Sequence, residues 1–426
     1  MKTTQALLRA LAVTLAAGVL FTSSMAAQTV AIVGGTVHTV SGAAIPNGTV
    51  VIENDRITAV GVGVQVPPGA RVIDASGKIV TPGLFDSATQ LGVIEIGAEQ
   101  NTVDGTTNLS SLTAGFEVVH GINPLSTLIP IARVEGITRA VVTPGSGAGM
   151  FAGTGAVIDL LGDRSSDVVV IERNAMYVVL GEQGAGYAGG SRAAAIAQLR
   201  GALESAREYG SDPSTYRAVR SEDEQMSRSD LLALAPVATG DRPLVVMAHR
   251  ASDLLTALNL KDDLGIDLIL AGALEGWMVA GDIASRDVPV IVNPMTNLPT
   301  FQSLGATHEN AARLHAGGAN VILASFDAHN ARNIRQAAGM AVSYGMPHDA
   351  ALRAVTLAPA ALWGLNDYGS LEAGKMADVV VWSGDPFEVT SYAEHVFIDG
   401  VEVSSMTRQR ALFEKYRTLD RLPPWR

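Results

Sequence analysis

The stretch "RPLVVMAHRASDLLTALNLKDDLGIDLILAGALEGWMVAGDIASRDVPVIVNP", residues 242–294, alternates two kinds of segment. "LVVMA", "IDLILAG" and "VPVIV" are short apolar runs, whereas "ASDLLTALNLKDDLG" and "ALEGWMVAGDIASR" space their apolar residues at helical intervals. Short continuous apolar runs read as strands buried on both faces, and parallel strands of that kind need crossover helices. Starts near 244, 266 and 288 recur about every 22 residues, a natural length for a strand and its returning helix. "HENAARLHAGG" and "ANVILASFD" carry the rhythm on to Asp327. Such units across residues 80–365 predict an α/β fold, a TIM (β/α)8 barrel, whose usual size is about 250 residues. An open doubly wound sheet is the rival, because alternation alone does not separate closed from open sheets.

Outward from this region the rhythm changes. "TVAIVGGTVHTV", "GTVVIENDRITAVG" and "ARVIDASGKIV" alternate apolar and polar residues between Gly, Pro and Asn turns. Similar runs return only in "GSLEAGKMADVVVWSGDP" and "HVFIDGVEVSS". The two ends are expected to pair as one small β-sandwich, residues 28–79 plus 366–405, with the barrel of residues 80–365 inserted between them. That split favours the barrel over the open sheet. Residues 406–426 read as a helical tail.

Lys2 and Arg9 precede an uncharged stretch, Ala10 to Phe21, and then the small-residue segment "TSSMAAQ". This is the pattern of a cleaved signal peptide over residues 1–27, and about 12 apolar residues fall short of the roughly 20 that span a bilayer. The expectation is a soluble periplasmic or secreted protein with no membrane partner. Beyond residue 27 there are 28 Lys and Arg against 42 Asp and Glu, a net charge of −14. That balance argues against nucleic acid as a partner. The chain has no cysteine, which excludes disulfides, thiol nucleophiles and Cys-ligated zinc.

Five stretches carry a resemblance: "ASGKIVTPGLFD" (75–86), "GITRAVVTPGSG" (136–147), "AHRASDL" (248–254), "VPVIVNP" (288–294) and "YGSLEAGKMADVVVWSGDP" (368–386). Through them the chain resembles the amidohydrolase superfamily, particularly its imidazolonepropionase-like branch, and the last stretch is the most specific. The resemblance implies a metal-hydrolase barrel with a flanking β-sandwich. It also implies one or two divalent ions at the C-terminal mouth of the barrel. The ligands of that family are a His-x-His after strand 1, a carboxylated Lys or Glu near strands 3–4, single His residues after strands 5 and 6, and an Asp after strand 8. A divalent ion brings the pKa of bound water to about 7, and a carboxylate then moves its proton.

By the same resemblance, Ala88 and Gln90 stand where the His-x-His belongs. Asp159 falls near the Lys position, His249 matches the strand-5 histidine, Gly272 replaces the strand-6 histidine, and Asp327 matches the aspartate. Asp327 would serve as general base. Read without the family, His249 is a histidine at a strand end, and Asp327 is equally suited to cap the following helix. His329 lies two residues beyond Asp327, so continued strand geometry would turn both the same way and complete a His249, Asp327, His329 set for one ion, zinc first. His120 reads as a surface residue. His38, His308, His315, His348 and His395 show no ligand spacing. Gly147-x-Gly149-x-x-Ala152 fits a dinucleotide fingerprint only superficially, because a strand follows it where a helix should start.

Two readings follow. One is an exported hydrolase acting on a C–N bond of a cyclic amide type, holding at most one divalent metal. The other is a catalytically inactive relative acting as a binding or partner subunit. Either would take a small-molecule substrate or ligand, and homo-oligomers or pairing with an active paralogue belong to the same expectation.

Overall fold

The computed structural model describes residues 29–214 and 226–417. The segment read as a signal peptide lies outside the described residues, as does the end of the C-terminal tail. The first five strands are β1 (Val30–Val37), β2 (Ile45–Glu53), β3 (Arg56–Gly61), β4 (Arg71–Asp74) and β5 (Ile79–Pro82). A two-residue turn through Asn54 and Asp55 joins β2 to β3. Asn54 there takes φ 58°, a left-handed conformation that Asn tolerates better than most residues.

The middle of the chain supplies β6 (Leu84–Thr89), β7 (Ile137–Val142), β8 (Phe151–Thr154), β9 (Ala156–Asp159) and β10 (Val169–Ile171). It continues with β11 (Met176–Val179), β12 (Leu244–Ala248), β13 (Leu268–Gly272), β14 (Val290–Val292) and β15 (Val321–Leu323). The last strands, β16 (Val379–Trp382), β17 (Ala393–Ile398) and β18 (Val401–Glu402), return to the first sheet. That sheet has eight strands in the order β18-β17-β16-β5-β1-β2-β3, with β4 paired to β1. β16 lies antiparallel to β5, Val380 opposite Thr81, so both ends of the sequence share one ladder.

β11 to β15 form a continuous parallel run, and β6 lies parallel to β7. The segment Phe151–Asp159 departs from the uniform parallel order that a (β/α)8 barrel predicts. β8 and β9, joined through Gly155, run antiparallel to β11 and to β7 respectively. The reason is length: only eight residues separate the end of β7 from the start of β8, too few for the crossover a parallel return needs.

Alternation along the strands sorts side chains into two cores. Val245, Ile269, Ile291 and Ile322 join Phe85, Val141 and Val157 in one apolar interior to which both central sheets contribute. Their neighbours Val246, Leu270, Val290 and Leu323 point the other way, against helices such as Ala251–Leu264, which buries Leu254 and Leu258. That helix ends at Gly265 with φ 66°, the left-handed cap that glycine suits. The hydrogen-bond ladder is not continuous around this interior, but the chain leaving β15 reaches β6, where Phe326 N–H donates to Ala88 O at 2.7 Å. The architecture is mixed α/β, with Gly272 ending β13, His249 directly after β12 and Asp327 four residues beyond β15.

Candidate functional site

Ala88 sits near the end of β6, almost wholly buried, and contributes a methyl group to a cavity of about 60 Å³. Ala152, Tyr177, Val245, Ala271 and Phe326 line the same space, so the surroundings of the first ligand position are apolar. At roughly 10–15 Å³ of such volume per water, the cavity admits a few water-sized groups. Gln90 is half-buried, and its amide nitrogen lies 3.1 Å from where a Cβ on Gly145 would stand, against the loop that follows β7.

His249 follows β12 directly. Its Nδ1 is shielded from solvent and has no hydrogen-bond partner. Burial lowers its pKa, and the charge of Asp253 opposes that only in part, so the ring is neutral at pH 7. The strand next door explains where the ring sits. Gly272 ends β13 with φ 79°, and a Cβ built there would stand 2.5 Å from His249 Cε1 and 2.7 Å from Nδ1. The imidazole therefore occupies the space that a side chain at 272 would need. The glycine at 272 and the placement of the His249 ring are a single packing fact.

Asp327 is committed to its own turn. Oδ1 accepts from Asn330 N–H at 2.9 Å and Oδ2 from Asn330 Nδ2 at 3.0 Å. Burial pushes its pKa up, but the Asn330 and His329 hydrogen bonds and the nearby His329 outweigh this and hold it below the ordinary carboxylate range. These bonds close the turn ahead of the next helix, whose N-cap is Asn330, so Asp327 is not the helix cap that the sequence offered as an alternative. His329 is exposed and turns to the loop after β6, its Nε2 3.0 Å from Glu95 O. Strand geometry ends at Leu323, so the shared direction expected for residues 327 and 329 does not arise. Among the described residues no three His, Asp or Glu side chains are grouped to hold a metal ion, and His249, Asp327 and His329 are not brought together as one.

Asp159 is also away from the mouth. It pairs with Arg139 across β9 and β7, near the beginning of β7, because β9 runs antiparallel. Its place near the family's lysine is corrected accordingly: it belongs to a buried ion cluster at the opposite end of the strands.

Asp86 escaped attention as a site residue in the sequence. It is fully buried on β6 and accepts from Ser325 N–H at 3.0 Å, from the Ser325 hydroxyl and from Ala88 N–H at 3.3 Å. Burial drives its pKa up to about 7 against those hydrogen bonds, with a further push from Asp327. It ties the first central strand to the chain leaving the last. Its position within the apolar run "GLFD" is the signal, since a buried Asp requires such partners.

One metal ion needs three or more protein donors and an open position. The mouth offers a methyl at 88, an amide at 90, no side chain at 272, a carboxylate at 327 already bonded through both oxygens, and one histidine. This donor set does not fit a divalent metal.

The amidohydrolase family's sequence profile matches residues 284–403. Amidohydrolase tasK of Hapsidospora irregularis is 22% identical over 390 residues, which cover 83% of this chain and 39% of that protein. An imidazolonepropionase of Fusobacterium nucleatum is 51% identical over 49 residues, 11% of this chain and 12% of that one. The chain thus spans well under half the length of the first and about an eighth of the second. In structure, it resembles an amidohydrolase from Thermotoga maritima with a TM-score of 0.79 and 26% identity, over 88% of this chain and 99% of that one. The chain is thus similar to the amidohydrolase superfamily, by sequence profile over residues 284–403 and by structure over 88% of its length.

Proposed function

We propose that this protein is an exported, soluble member of the superfamily whose barrel mouth binds a small ligand and does not run metal-dependent hydrolysis. In this reading the two central sheets form one barrel of the amidohydrolase kind, and the N- and C-terminal strands form its flanking β-domain. The observation that carries it is the state of the ligand positions. Ala88 lines an apolar cavity, the His249 ring fills the place of a side chain at 272, and Asp327 closes its own turn. A scaffold with a shaped pocket and no donor set can still bind, alone or paired with an active paralogue, because function lives in the site and not the fold. No helix among the described residues is long and apolar enough to cross a membrane.

The second reading keeps hydrolysis of a C–N bond, with one weakly held ion at His249 and Asp327 and Asp327 as base. The unpartnered Nδ1 of His249 favours it, since a buried nitrogen without a partner invites one. Metal content of the purified protein, with His249→Ala and Asp327→Ala beside it, separates the two. Near-stoichiometric zinc that disappears in both variants supports hydrolysis. Metal-free protein of unchanged thermal stability supports the binding reading.

A further inference from the structure

Gly145, Gly147 and Gly149 alternate in the segment between β7 and β8, "TPGSGAGM". Their missing side chains let the segment lie close against residues 105–113. A Cβ at Gly145 would stand 3.3 Å from Thr106 Cγ2, one at Gly149 would stand 3.1 Å from Thr113 Cγ2, and one at Gly147 would overlap Thr107 O. Backbone bonds hold the segment there: Gly145 N–H donates to Gly105 O at 2.8 Å and Ala148 N–H to Thr107 O at 3.2 Å. The Tyr187 hydroxyl adds a further tie, donating to Gly147 O at 2.9 Å. Pro144 and Ser146 thereby form a fixed wall of the cavity of about 60 Å³ that Ala88, Ala152 and Ala271 also line.

The chemistry of the walls is as restricted as their size. Among the described residues, none that lines the cavity is charged. The polar side chains on its walls already have partners. Thr143 Oγ1 donates to Thr89 O at 3.2 Å, Ser146 Oγ accepts from Gln183 Nε2 at 2.6 Å, and the Tyr177 hydroxyl accepts from Asn174 Nδ2 at 3.1 Å. Burial raises the Tyr177 pKa, so the phenol stays neutral. Asp327, next in sequence to the lining residue Phe326, keeps both oxygens on Asn330. A charged group entering this space would lose its hydration and meet no counter-charge. An aliphatic group gains by leaving water and touching apolar walls. At roughly 10–15 Å³ per water-sized group, the cavity holds roughly four to six heavy atoms.

We propose that this cavity takes an uncharged aliphatic group of roughly four to six heavy atoms and rejects charged groups of the same size. This inference rests on the ligand-pocket reading and names the chemical class of the ligand.

The test is NMR of the full chain with labelled alanine methyl groups, titrated with isopropanol and with isopropylammonium chloride. The two probes share one carbon skeleton and differ by a charge. The signals followed are the methyls of Ala88, Ala152 and Ala271. Isopropanol is expected to shift all three saturably, and isopropylammonium to bind roughly tenfold or more weakly. The methyl of Ala257, buried on the helix Ala251–Leu264 and not lining the cavity, should not move. Ala271→Val takes up part of the space and should weaken isopropanol binding. Equal binding of the two probes overturns the uncharged class while the pocket reading stands. Undiminished isopropanol binding in Ala271→Val overturns the assignment to this cavity in the same way. No saturable shift with either probe overturns the inference and the ligand role of the cavity together. The comparison of probes on the unaltered protein needs no variant to fold.

Discussion

At the scale of single residues, the mouth is decided by pairs of neighbours. Gly272 and His249 are one such pair: restoring a side chain at 272 drives it into the imidazole and forces a left-handed backbone on a residue that resists it. Gly272→Ala should therefore cost on the order of 1–3 kcal/mol in urea unfolding, from the backbone alone, and Gly272→His should cost more. Asp327 and Asn330 are another pair. Asp327→Ala is expected to cost about 1 to 2 kcal/mol, from the hydrogen bonds it accepts from Asn330, with no effect on bound metal. A metal ligand would show the opposite pattern. The sequence revealed that Ala88 cannot ligate, because a methyl group has no lone pair. It did not reveal that Asp327 was already engaged, because its partner Asn330 reads equally well as ordinary turn chemistry.

At the scale of elements, the parallel strands β12 to β15 were legible because each is a short apolar run set among amphipathic helices, whereas β11 was not picked out. The reversal at β8 and β9 was not legible either. "MFAGTGAVIDLL" reads as strand in either direction, and only the short connection from β7 makes an antiparallel return the natural one. The joining of the two chain ends was legible from their shared alternation. What was not visible was how closely that sheet packs on the central strands. Trp382 of β16 is fully buried and donates from Nε1 to Thr81 Oγ1 at 2.8 Å. A Cβ at Gly136, just before β7 and with φ 83°, would stand 2.4 Å from the Trp382 ring. Gly136→Ala should lower stability by at least the roughly 1–3 kcal/mol of its backbone strain, read as a shift in unfolding midpoint.

At the scale of the whole molecule, one ion cluster fastens the terminal sheet to the central strands. Arg139 on β7 is buried, bonds Asp378 at 3.0 Å and Asp399 at 2.7 Å, lies 3.3 Å from Asp159, and stacks 3.6 Å over the Tyr368 ring. Removing the cation would leave Asp378, Asp399 and the Asp159 carboxyl group around an empty centre, so Arg139→Leu should cost about 3–5 kcal/mol or prevent folding. The cluster also sets a pH dependence. Burial, more than the charge and hydrogen bond of Asp399 and the charge of Asp378, raises Asp159 to about 8 against the pull of Arg139. A carboxyl raised in the folded state lends stability in full below its unfolded pKa of about 4 and loses it as pH climbs through about 8. Between pH 6 and 9 the unaltered protein should thus lose stability that Asp159→Asn retains, measured as the difference in their unfolding free energies.

We propose that the site around His249 and Asp327 holds no ion, and metal analysis tests this directly. The protein would be equilibrated with excess zinc, dialysed, and assayed by elemental mass spectrometry beside His249→Ala. Zinc far below one ion per chain is expected, with the same trace in the variant. One ion per chain, lost on replacing His249, would contradict it.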